Sequence, residues 1–477
     1  MIPKRLRFGL EAGLLFIGVA AAILFLVFPI IGFEFSLAMI LTSLILLGLY
    51  AILVTEALHR MTLALFGATL TIIVGITVGL FPAEESVGFV VESIDFNTIG
   101  LLLGMMIIVG VIAETGVFQY AGIKAAKKAK GDIWKIMVLF CILTAIASAF
   151  LDNVTTVLLM VPVTISIARI LSINPIPLIL AQVMVSNVGG TATLIGDPPN
   201  IMIASGAGLT FNDFITHLAL EITATFLISL LVLKLMFRNY LKQKPETVEK
   251  LRELDESAEL GDRGMIKKSL GVLGGVIVLF VFHGALNVEP SVIALAGAGF
   301  LLVLTRATPE IALGHVSWTT LLFFAGLFVI VSGIERAGVI EFLAGGAIDI
   351  TGGEMIPTVL LMVWMSAFAS AFIDNIPYTA TMIPLIDTVS LDPVFAEQIG
   401  RFATNPLWWA LAIGAGLGGN GTLVGASANL VSAGLSERMG YPITFKEFLR
   451  VGFPYMLVTT AIASMLLMAM MLFIPGF

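Results

Sequence analysis

The chain has 477 residues, of which 58% are hydrophobic and 12% are charged, and its mean hydropathy is +1.06. A water-soluble domain keeps about a quarter of its residues charged, so this composition excludes an ordinary soluble protein. The single cysteine, Cys141, excludes a disulfide framework and a cysteine metal site. The net charge of −7 decides little, since membrane orientation follows the placement of Lys and Arg rather than their sum.

Apolar runs long enough to cross the hydrocarbon core follow one another along the chain. The first, from Phe8 to Ile31, follows a basic start, is too long for a signal-peptide core and lacks a small-residue cleavage site, so we interpret it as a retained span. Open sheets cannot satisfy their backbone in lipid, and these runs lack a barrel's period-two alternation. We therefore predict an all-α polytopic membrane protein. The further apolar segments are 35–55, 61–81, 96–118, 136–150, 154–172, 175–207, 217–237, 269–288, 290–305, 318–339, 358–373, 376–390, 407–434 and 451–475.

An internal repeat divides the chain. DFNTIGLLLGMMIIVGVIAETGVF and SAFLDNVTTVLLMVPV in the first half match SWTTLLFFAGLFVIVSGIERAGVI and SAFIDNIPYTATMIPL in the second, so that Asp152 pairs with Asp374 at an offset of 222 residues. GGTATLIGDPPN (189–200) matches GGNGTLVGASAN (418–429) at an offset of 229 residues. A duplication explains these matches better than chance does.

The predicted organisation follows from the repeat and from one charged stretch. The segment 238–268 contains eight Lys or Arg and seven Asp or Glu, which is typical of a solvated linker. Each repeat core contains a helical hairpin, at 136–170 and 358–390, and a broken helix, at 175–207 and 407–434. The predicted regions are N-terminal scaffold helices (1–95), a first repeat core (96–237), the cytoplasmic linker (238–268), scaffold helices (269–317) and a second repeat core with the last helix (318–477).

The charges between the apolar segments predict that the two repeats are inverted. Five lysines lie between 124 and 135 in the first copy and belong on the cytoplasmic side. The equivalent stretch of the second copy, 340–357, has acidic residues and no Lys or Arg, so it belongs outside. This scheme puts the N-terminus in the cytoplasm and the C-terminus outside the cell membrane. Inverted repeats are a transporter architecture, with the site at mid-membrane where the repeats meet.

The hairpins and the broken helices are the predicted breaks in the hydrophobic pattern. Each hairpin turns at Asp-Asn, and Lys135 and Arg169 flank the outer ends of the first, so both arms enter from one side. Irregular backbone at that depth is tolerated only against protein or a water-filled cavity; two short spanning helices joined by an ordinary turn are the alternative. Pro198-Pro199 and the clustered glycines interrupt the long apolar runs, and half-helix ends can bind ions.

Carboxylates at these breaks are the strongest functional indication. An ionisable residue deep in a membrane is costly and is a functional-site candidate, and a buried carboxylate without a cationic partner requires a proton or a metal cation. The alternative is that each Asp only caps a helix. Glu11, Glu56 and Glu221 lie near segment ends and are expected to face headgroups or neighbouring helices, and the four histidines form no metal-ligand spacing. The candidate substrate- and ion-binding residues are Asp152, Asn153, Thr155, Asn187, Gly189, Gly190, Thr193, Asp197, Asn200, Asp374, Asn375, Asn420, Thr422, Ser427 and Asn429; a sodium ion would bind at Asp152, Asn153, Asp374 and Asn375.

FLDNVTTVLLMVPVTI, SNVGGTATLIGDPPNIMIASG, FIDNIPYTATMIP and LGGNGTLVGASANLV together resemble the ion-transporter superfamily, which includes ArsB-type arsenite pumps, NhaD-type sodium–proton antiporters and divalent-anion–sodium symporters. The resemblance is greatest to the pink-eyed-dilution (P protein) branch. It implies about eleven spanning helices plus two re-entrant hairpins, a homodimer, and elevator-type alternating access by a mobile transport domain. In the dicarboxylate branch the tips carry Ser-Asn-Thr motifs; here Asp152 and Asp374 replace the serine, which disfavours a dianion.

We therefore expect a secondary active ion transporter coupled to protons or sodium, with cation–proton antiport favoured. The alternatives are an arsenite or antimonite efflux permease and an anion or organic-acid carrier for dicarboxylates or citrate. An enzyme is not expected, because the Gly-x-Gly-Asp motif of intramembrane aspartyl proteases is absent before Asp197. The expected partners are the lipid bilayer and a small inorganic ion or small anion. The coupling ion, sodium or a proton, replaces any cofactor, and no nucleic-acid partner is expected.

Overall fold

The computed structural model describes residues 35–55, 58–243, 245, 248–474 and 477. Every regular element among these residues is helical. Within the same described ranges, nine helices are long and apolar enough to cross a bilayer. The prediction of an all-α polytopic membrane fold is confirmed. The expected first span at 8–31, together with Glu11 and Glu56, lies outside the described residues.

The helices are numbered here in chain order. The first half contains α1 Leu37–Thr55, α2 Arg60–Thr77, α3 Ser86–Ser93, α4 Phe96–Ala113, α5 Val117–Ala129, α6 Ile133–Phe150, α7 Asn153–Ile170, α8 Ile176–Thr191, α9 Pro198–Ala207 and α10 Phe211–Met236. The linker and second half contain α11 Val248–Glu253, α12 Arg263–Leu286, α13 Pro290–Thr305, α14 Pro309–Gly314, α15 Trp318–Arg336, α16 Val339–Thr351, α17 Met355–Phe372, α18 Asn375–Ser390, α19 Pro393–Ile399, α20 Pro406–Gly418, α21 Ser427–Arg438 and α22 Phe445–Phe473.

Local chemistry explains where the hairpin and broken helices begin. The Asp132 carboxylate accepts a hydrogen bond from the Lys135 backbone N–H at 3.1 Å and so caps the start of α6. Proline occupies the first positions of α9 and α20, where its missing N–H costs no helical hydrogen bond. The hairpin α6–α7 and the broken helix α8–α9 recur in the same order as α17–α18 and α20–α21. The predicted repeat is therefore a repeat of structure as well as of sequence.

The chain forms two compact units, and each unit takes segments from both repeats. The small unit contains the described residues up to Ile99, Ser317–Thr358 and Ala380–Gln398. The large unit contains Gly100–Val316, Val359–Thr379 and Ile399–Phe477. All the candidate site residues belong to the large unit, which includes both hairpin tips and both broken helices.

Equivalent glycines make the same type of helix contact in the two units. In the large unit, a Cβ placed on Gly104 would lie 2.5 Å from the backbone carbonyl carbon of Ala294. In the small unit, a Cβ on Gly326 would lie 2.7 Å from the carbonyl carbon of Ala64. Both helix pairs are therefore in backbone contact. The spacing Gly100-x-x-x-Gly104 is therefore a feature of helix packing.

The helices that contain the predicted segments 217–237, 269–288 and 451–475 each begin six residues earlier, and the first of these differences changes the position of a carboxylate. The apolar segment 217–237 belongs to a helix that begins at Phe211, because a π-helical stretch, Ile215–Ala219, continues it towards the N-terminus. Glu221 is therefore ten residues inside α10 and is 1% exposed. It does not face headgroups near a segment end.

Candidate functional site

Each hairpin tip is held against the break of its own repeat by equivalent serines. The Ser148 hydroxyl donates to the backbone carbonyl of Ser186 at 2.7 Å. The Ser370 hydroxyl donates to the carbonyl of Ala415, also at 2.7 Å. These serines were not among the predicted site residues. Their shared position in the two SAF motifs, at one offset, is the signal in the sequence that identifies them.

Equivalent threonines add a second connection between tip and break. The Thr193 hydroxyl donates to the carbonyl of Ala149, and the Thr422 hydroxyl donates to the carbonyl of Ala371 at 2.5 Å. Both threonines were predicted ligands, and the structure uses their hydroxyl groups to fix the hairpins. Contact between the tip and the middle of a broken helix favours a hairpin whose tip lies within the membrane over two ordinary spanning helices.

The predicted glycines permit the close approach of hairpin and broken helix. A Cβ on Gly189 would lie 2.4 Å from the carbonyl oxygen of Ala145, and a Cβ on Gly418 would lie 2.6 Å from the carbonyl oxygen of Ala367. A side chain at Gly190 would meet the Asn153 amide oxygen at 2.4 Å. Only glycine leaves room for these contacts.

Asn200 and Asn429 stabilise the two unwound segments. The Asn200 side-chain amide donates to the carbonyls of Thr193 at 2.8 Å and Thr191 at 3.1 Å. The Asn429 amide donates to the carbonyls of Gly419 at 2.7 Å and Thr422 at 2.9 Å. Backbone carbonyls that the broken helix leaves free are thereby satisfied. These two amide groups therefore support the site rather than point at an open ligand position.

A buried chain of asparagines joins the two repeats. The Asn187 amide donates to the Asn420 side-chain oxygen at 2.9 Å and to that of Asn429 at 3.2 Å. The Asn187 oxygen in turn accepts from the Asn153 amide at 3.3 Å. All four side chains are buried. The first hairpin, the first broken helix and the second broken helix thus meet at Asn187.

Asp197 lies at the centre of the candidate site. Its side chain is 3% exposed and accepts a hydrogen bond from the Asn375 amide, at the tip of the second hairpin, at 3.2 Å. The carboxylates of Asp374 and Asp152 are both near enough to interact with it electrostatically. Asp197 on the first broken helix therefore lies within electrostatic range of the aspartate at each hairpin tip. The equivalent of Asp197 in the second repeat is Ala426, so the site is not symmetric.

The two tip aspartates also act as helix caps. Asp152 accepts hydrogen bonds from the backbone N–H of Thr155, at 3.0 Å, and from the Thr155 hydroxyl. Asp374 accepts from the backbone N–H of Ile376 at 3.1 Å and from the Ser427 hydroxyl at 2.8 Å. Capping is therefore part of their role, and the Ser427 bond also joins the second hairpin to the second broken helix.

The donor set of this site suits a hard cation or a proton. Carboxylate and amide oxygens are hard ligands. No cluster of three or more His, Cys, Asp or Glu side chains that could hold a metal ion occurs among the described residues. Coordination by Asp197 and Asp374 would therefore have to be completed by amide or backbone oxygens. One donor is left over: Asn420 Nδ2 is buried and has no hydrogen-bond partner in the described part of the chain.

Comparison with known proteins identifies similar sequences of transporters. A family model described as CitMHS, citrate transporter, matches residues 50–414. An uncharacterized transporter of Mycobacterium tuberculosis is 42% identical over 420 residues, which cover 88% of this chain and 95% of the relative. The P protein of Homo sapiens is 36% identical over 495 residues, which cover 88% of this chain and 58% of that protein. The expected similarity to P protein is confirmed.

The fold is similar to that of a solved transporter structure. The crystal structure of the Alcanivorax borkumensis YdaH transporter matches with a TM-score of 0.58 and covers 87% of this chain and 99% of that chain. The sequence identity is 15%, so this likeness shows the fold alone.

Proposed function

The chain belongs to the CitMHS citrate transporter family, and we propose that it is a secondary active transporter coupled to protons or sodium, with cation–proton antiport as its activity. Membership makes it an integral membrane transporter. The observation that carries the finer proposal is that buried Asp197 lies within electrostatic range of the half-buried tip aspartates Asp374 and Asp152 and is hydrogen-bonded to the second hairpin.

The charge of this site favours a cation. The side-chain hydrogen bonds to Asp197 come from neutral amides, at Asn375 and Asn153. The groups that act on Asp197 include two carboxylates and no basic residue. Burying negative charge without a positive partner is costly, so protons or metal cations must accompany these carboxylates. Alternating occupancy by H⁺ and Na⁺ is antiport.

Alternating access of the elevator type is supported by the position of the site. All the candidate residues lie in the large unit, so a rigid displacement of that unit would carry a bound ion without dismantling its ligands. A homodimer would supply a stationary support.

We also propose a cytoplasmic N-terminus and an external C-terminus. The Lys127 ammonium donates to the Glu256 carboxylate at 2.5 Å, so the basic segment 119–135 and the linker 238–268 lie at one membrane face. Their combined excess of Lys and Arg favours the cytoplasmic face. Single-cysteine labelling on a Cys141→Ser background tests this orientation; labelling of 119–135 and 340–357 from the same side would contradict it.

Transport of a citrate-like organic acid is the second candidate. The family description favours it, and the spare Asn420 N–H could donate to a substrate carboxylate oxygen. Because three carboxylates would repel a polyanion, citrate would have to enter with protons or as a complex with a divalent cation.

Proteoliposome flux distinguishes these functions. Vesicles with an internal pH-sensitive dye are given Na⁺, Li⁺, K⁺, arsenite, citrate or citrate with Mg²⁺. Antiport predicts proton efflux on adding Na⁺ or Li⁺ without citrate. Proton movement that requires citrate would support the second candidate, and no proton or sodium movement with any addition would contradict both.

A further inference from the structure

A second buried carboxylate lies in the large unit, away from the hairpin tips. Glu221 in α10 is 1% exposed, and neither of its carboxylate oxygens has a hydrogen-bond partner in the described structure. The hydroxyl groups of Thr225 and Thr460 are also buried without partners in the described structure. Thr225 is one turn from Glu221 on α10, and Thr460 belongs to α22. Orphaned polar atoms are rare in protein interiors, so a group of them requires an explanation.

The two helices that carry these atoms are equivalent in the two repeats. Each helix begins with the pattern Thr-Phe-x-acid-Phe, in which the threonine and the acidic residue form a capping box. The two threonines are Thr210 and Thr444, which are 234 residues apart. At this offset Glu221 corresponds to Tyr455 and Thr225 to Thr459. Both helices are irregular just before that position. A π-helical stretch ends at Ala219 in α10, and Pro454 lies inside α22. Such irregular turns are frequent at functional sites.

The two helices run antiparallel, which brings the orphaned atoms to neighbouring levels. Near the start of α10, the His217 ring lies 4.9 Å from the ring of Phe477, just beyond the end of α22. Further along, Tyr455 lies close to Ser229. Moving five residues along α22 from Tyr455, about 7.5 Å, places Thr460 near the level of Thr225. Thr225 and Thr460 therefore lie near one level of the seam between the packed helices α10 and α22, one turn from Glu221.

No charged partner neutralises Glu221 there. The helix α8, which packs against α10, contains no titratable residue between Ile176 and Thr191. On α22 the titratable group in the seam is Tyr455, with Cys141 of α6 near it. His217, one turn before Glu221, has its Nδ1 at 2.8 Å from the Asp213 carbonyl and its ring stacked on Trp409. A carboxyl group in these surroundings must carry a proton or bind a cation.

We propose that Glu221 is a second cation-binding group of this transporter, and that the hydroxyl groups of Thr225 and Thr460 contribute to its site. The ligand is a hard monovalent cation, H⁺ or Na⁺, since every donor is an oxygen. The seam lies outside the hairpin-tip site, so a transporter that uses both sites couples more than one cation to each cycle. Whether a cation binds in the seam does not depend on the proposed antiport. The part that this cation plays in coupling does rest on that proposed function.

A hydrophobic carbodiimide tests occupancy without transport. This reagent adds to protonated carboxyl groups in apolar surroundings, and peptide mass spectrometry locates the adduct. In the purified full chain we expect an adduct on Glu221 that increases as pH falls and is absent from Glu221→Gln. Glu289→Gln, at an exposed loop position, should leave it unchanged. If NaCl reduces labelling of Glu221 relative to choline chloride, Na⁺ is the ligand. If labelling is equal in the two salts, the ligand is H⁺.

Thr225→Val tests the hydroxyl group nearest to Glu221 while keeping the shape of the side chain. If the hydroxyl is a ligand, the H⁺ or Na⁺ concentration at which labelling of Glu221 changes by half should shift by about tenfold when the hydroxyl is lost. An orphaned hydroxyl with no ligand would leave that concentration unchanged. Absence of a Glu221 adduct at every pH, while other membrane carboxyl groups are labelled, would overturn the proposal. So would a Glu221→Gln protein whose ratio of cations moved per cycle equals that of the wild type.

Discussion

The connection between the two repeats depends on the Asn187 side chain. Its removal should lower the free energy of unfolding substantially. Asn187→Ala deletes three hydrogen bonds and leaves the side-chain oxygens of Asn420 and Asn429 unpaired in a buried site, whereas the Asn153 amide keeps its bond to Asp197. Each orphaned buried group costs about 1–3 kcal/mol, so the two together cost about 2–6 kcal/mol. Water entering the space left by the side chain would favour the lower end.

The matched control is the preceding residue. The Ser186 hydroxyl is 3.2 Å from the Ser148 hydroxyl, which keeps its stronger bond to the Ser186 carbonyl in Ser186→Ala. That variant should lose about 1 kcal/mol. Unfolding by SDS in mixed micelles, followed by tryptophan fluorescence, measures both variants. If Asn187→Ala is no less stable than Ser186→Ala, the asparagine chain does not hold the repeats together.

Two further predictions concern packing and the linker. Gly189→Ala and Gly418→Ala should each destabilise the protein by more than about 1 kcal/mol, because the added Cβ meets backbone, whereas Gly434→Ala, with nothing within 4 Å, should be neutral or stabilising in the same SDS assay. The hydrogen bond from the Lys127 ammonium lowers the pKa of the Glu256 carboxyl group. This ion pair therefore stabilises the docked linker at neutral pH, and the stabilisation is lost as the solution is acidified through that pKa. Protease cleavage of the linker should therefore increase on acidification in the wild type. In Glu256→Gln it should be high already at neutral pH, and equal cleavage of the two proteins at every pH would contradict the pairing.

Much of the fold and part of the site follow from the sequence. Apolar length predicts the spans, and the ungapped match of the two SAF-Asp-Asn motifs predicts that Asp152 and Asp374 occupy equivalent tips. What the sequence does not specify is the register between elements distant in the chain. Asn187 corresponds to Gly416 at the repeat offset, so no internal symmetry predicts its bonds to Asn420 and Asn429.

Glu221 shows a second reason for failure. A hydropathy pattern ends an apolar segment at polar residues, so the sequence predicts that this segment begins near His217, after Asp213. In the structure the Thr210–Asp213 capping box and a π-helical stretch extend α10, and the carboxylate becomes buried. A π-helical turn has no distinctive amino-acid composition, so it is seen in the structure and not in the sequence.

The central claim is that the tip aspartates bind the coupling cation, and one measurement tests it directly. Proton flux through proteoliposomes is recorded against pH for the wild type, Asp152→Asn, Asp374→Asn and the exposed control Asp349→Asn. Asparagine preserves size and can still accept the capping hydrogen bonds, but it cannot be ionised. Both tip variants should fold, lose coupled flux and show a flattened pH dependence, whereas the control keeps the wild-type profile. Wild-type flux with an unchanged pH profile in both tip variants would show that Asp152 and Asp374 are only helix caps.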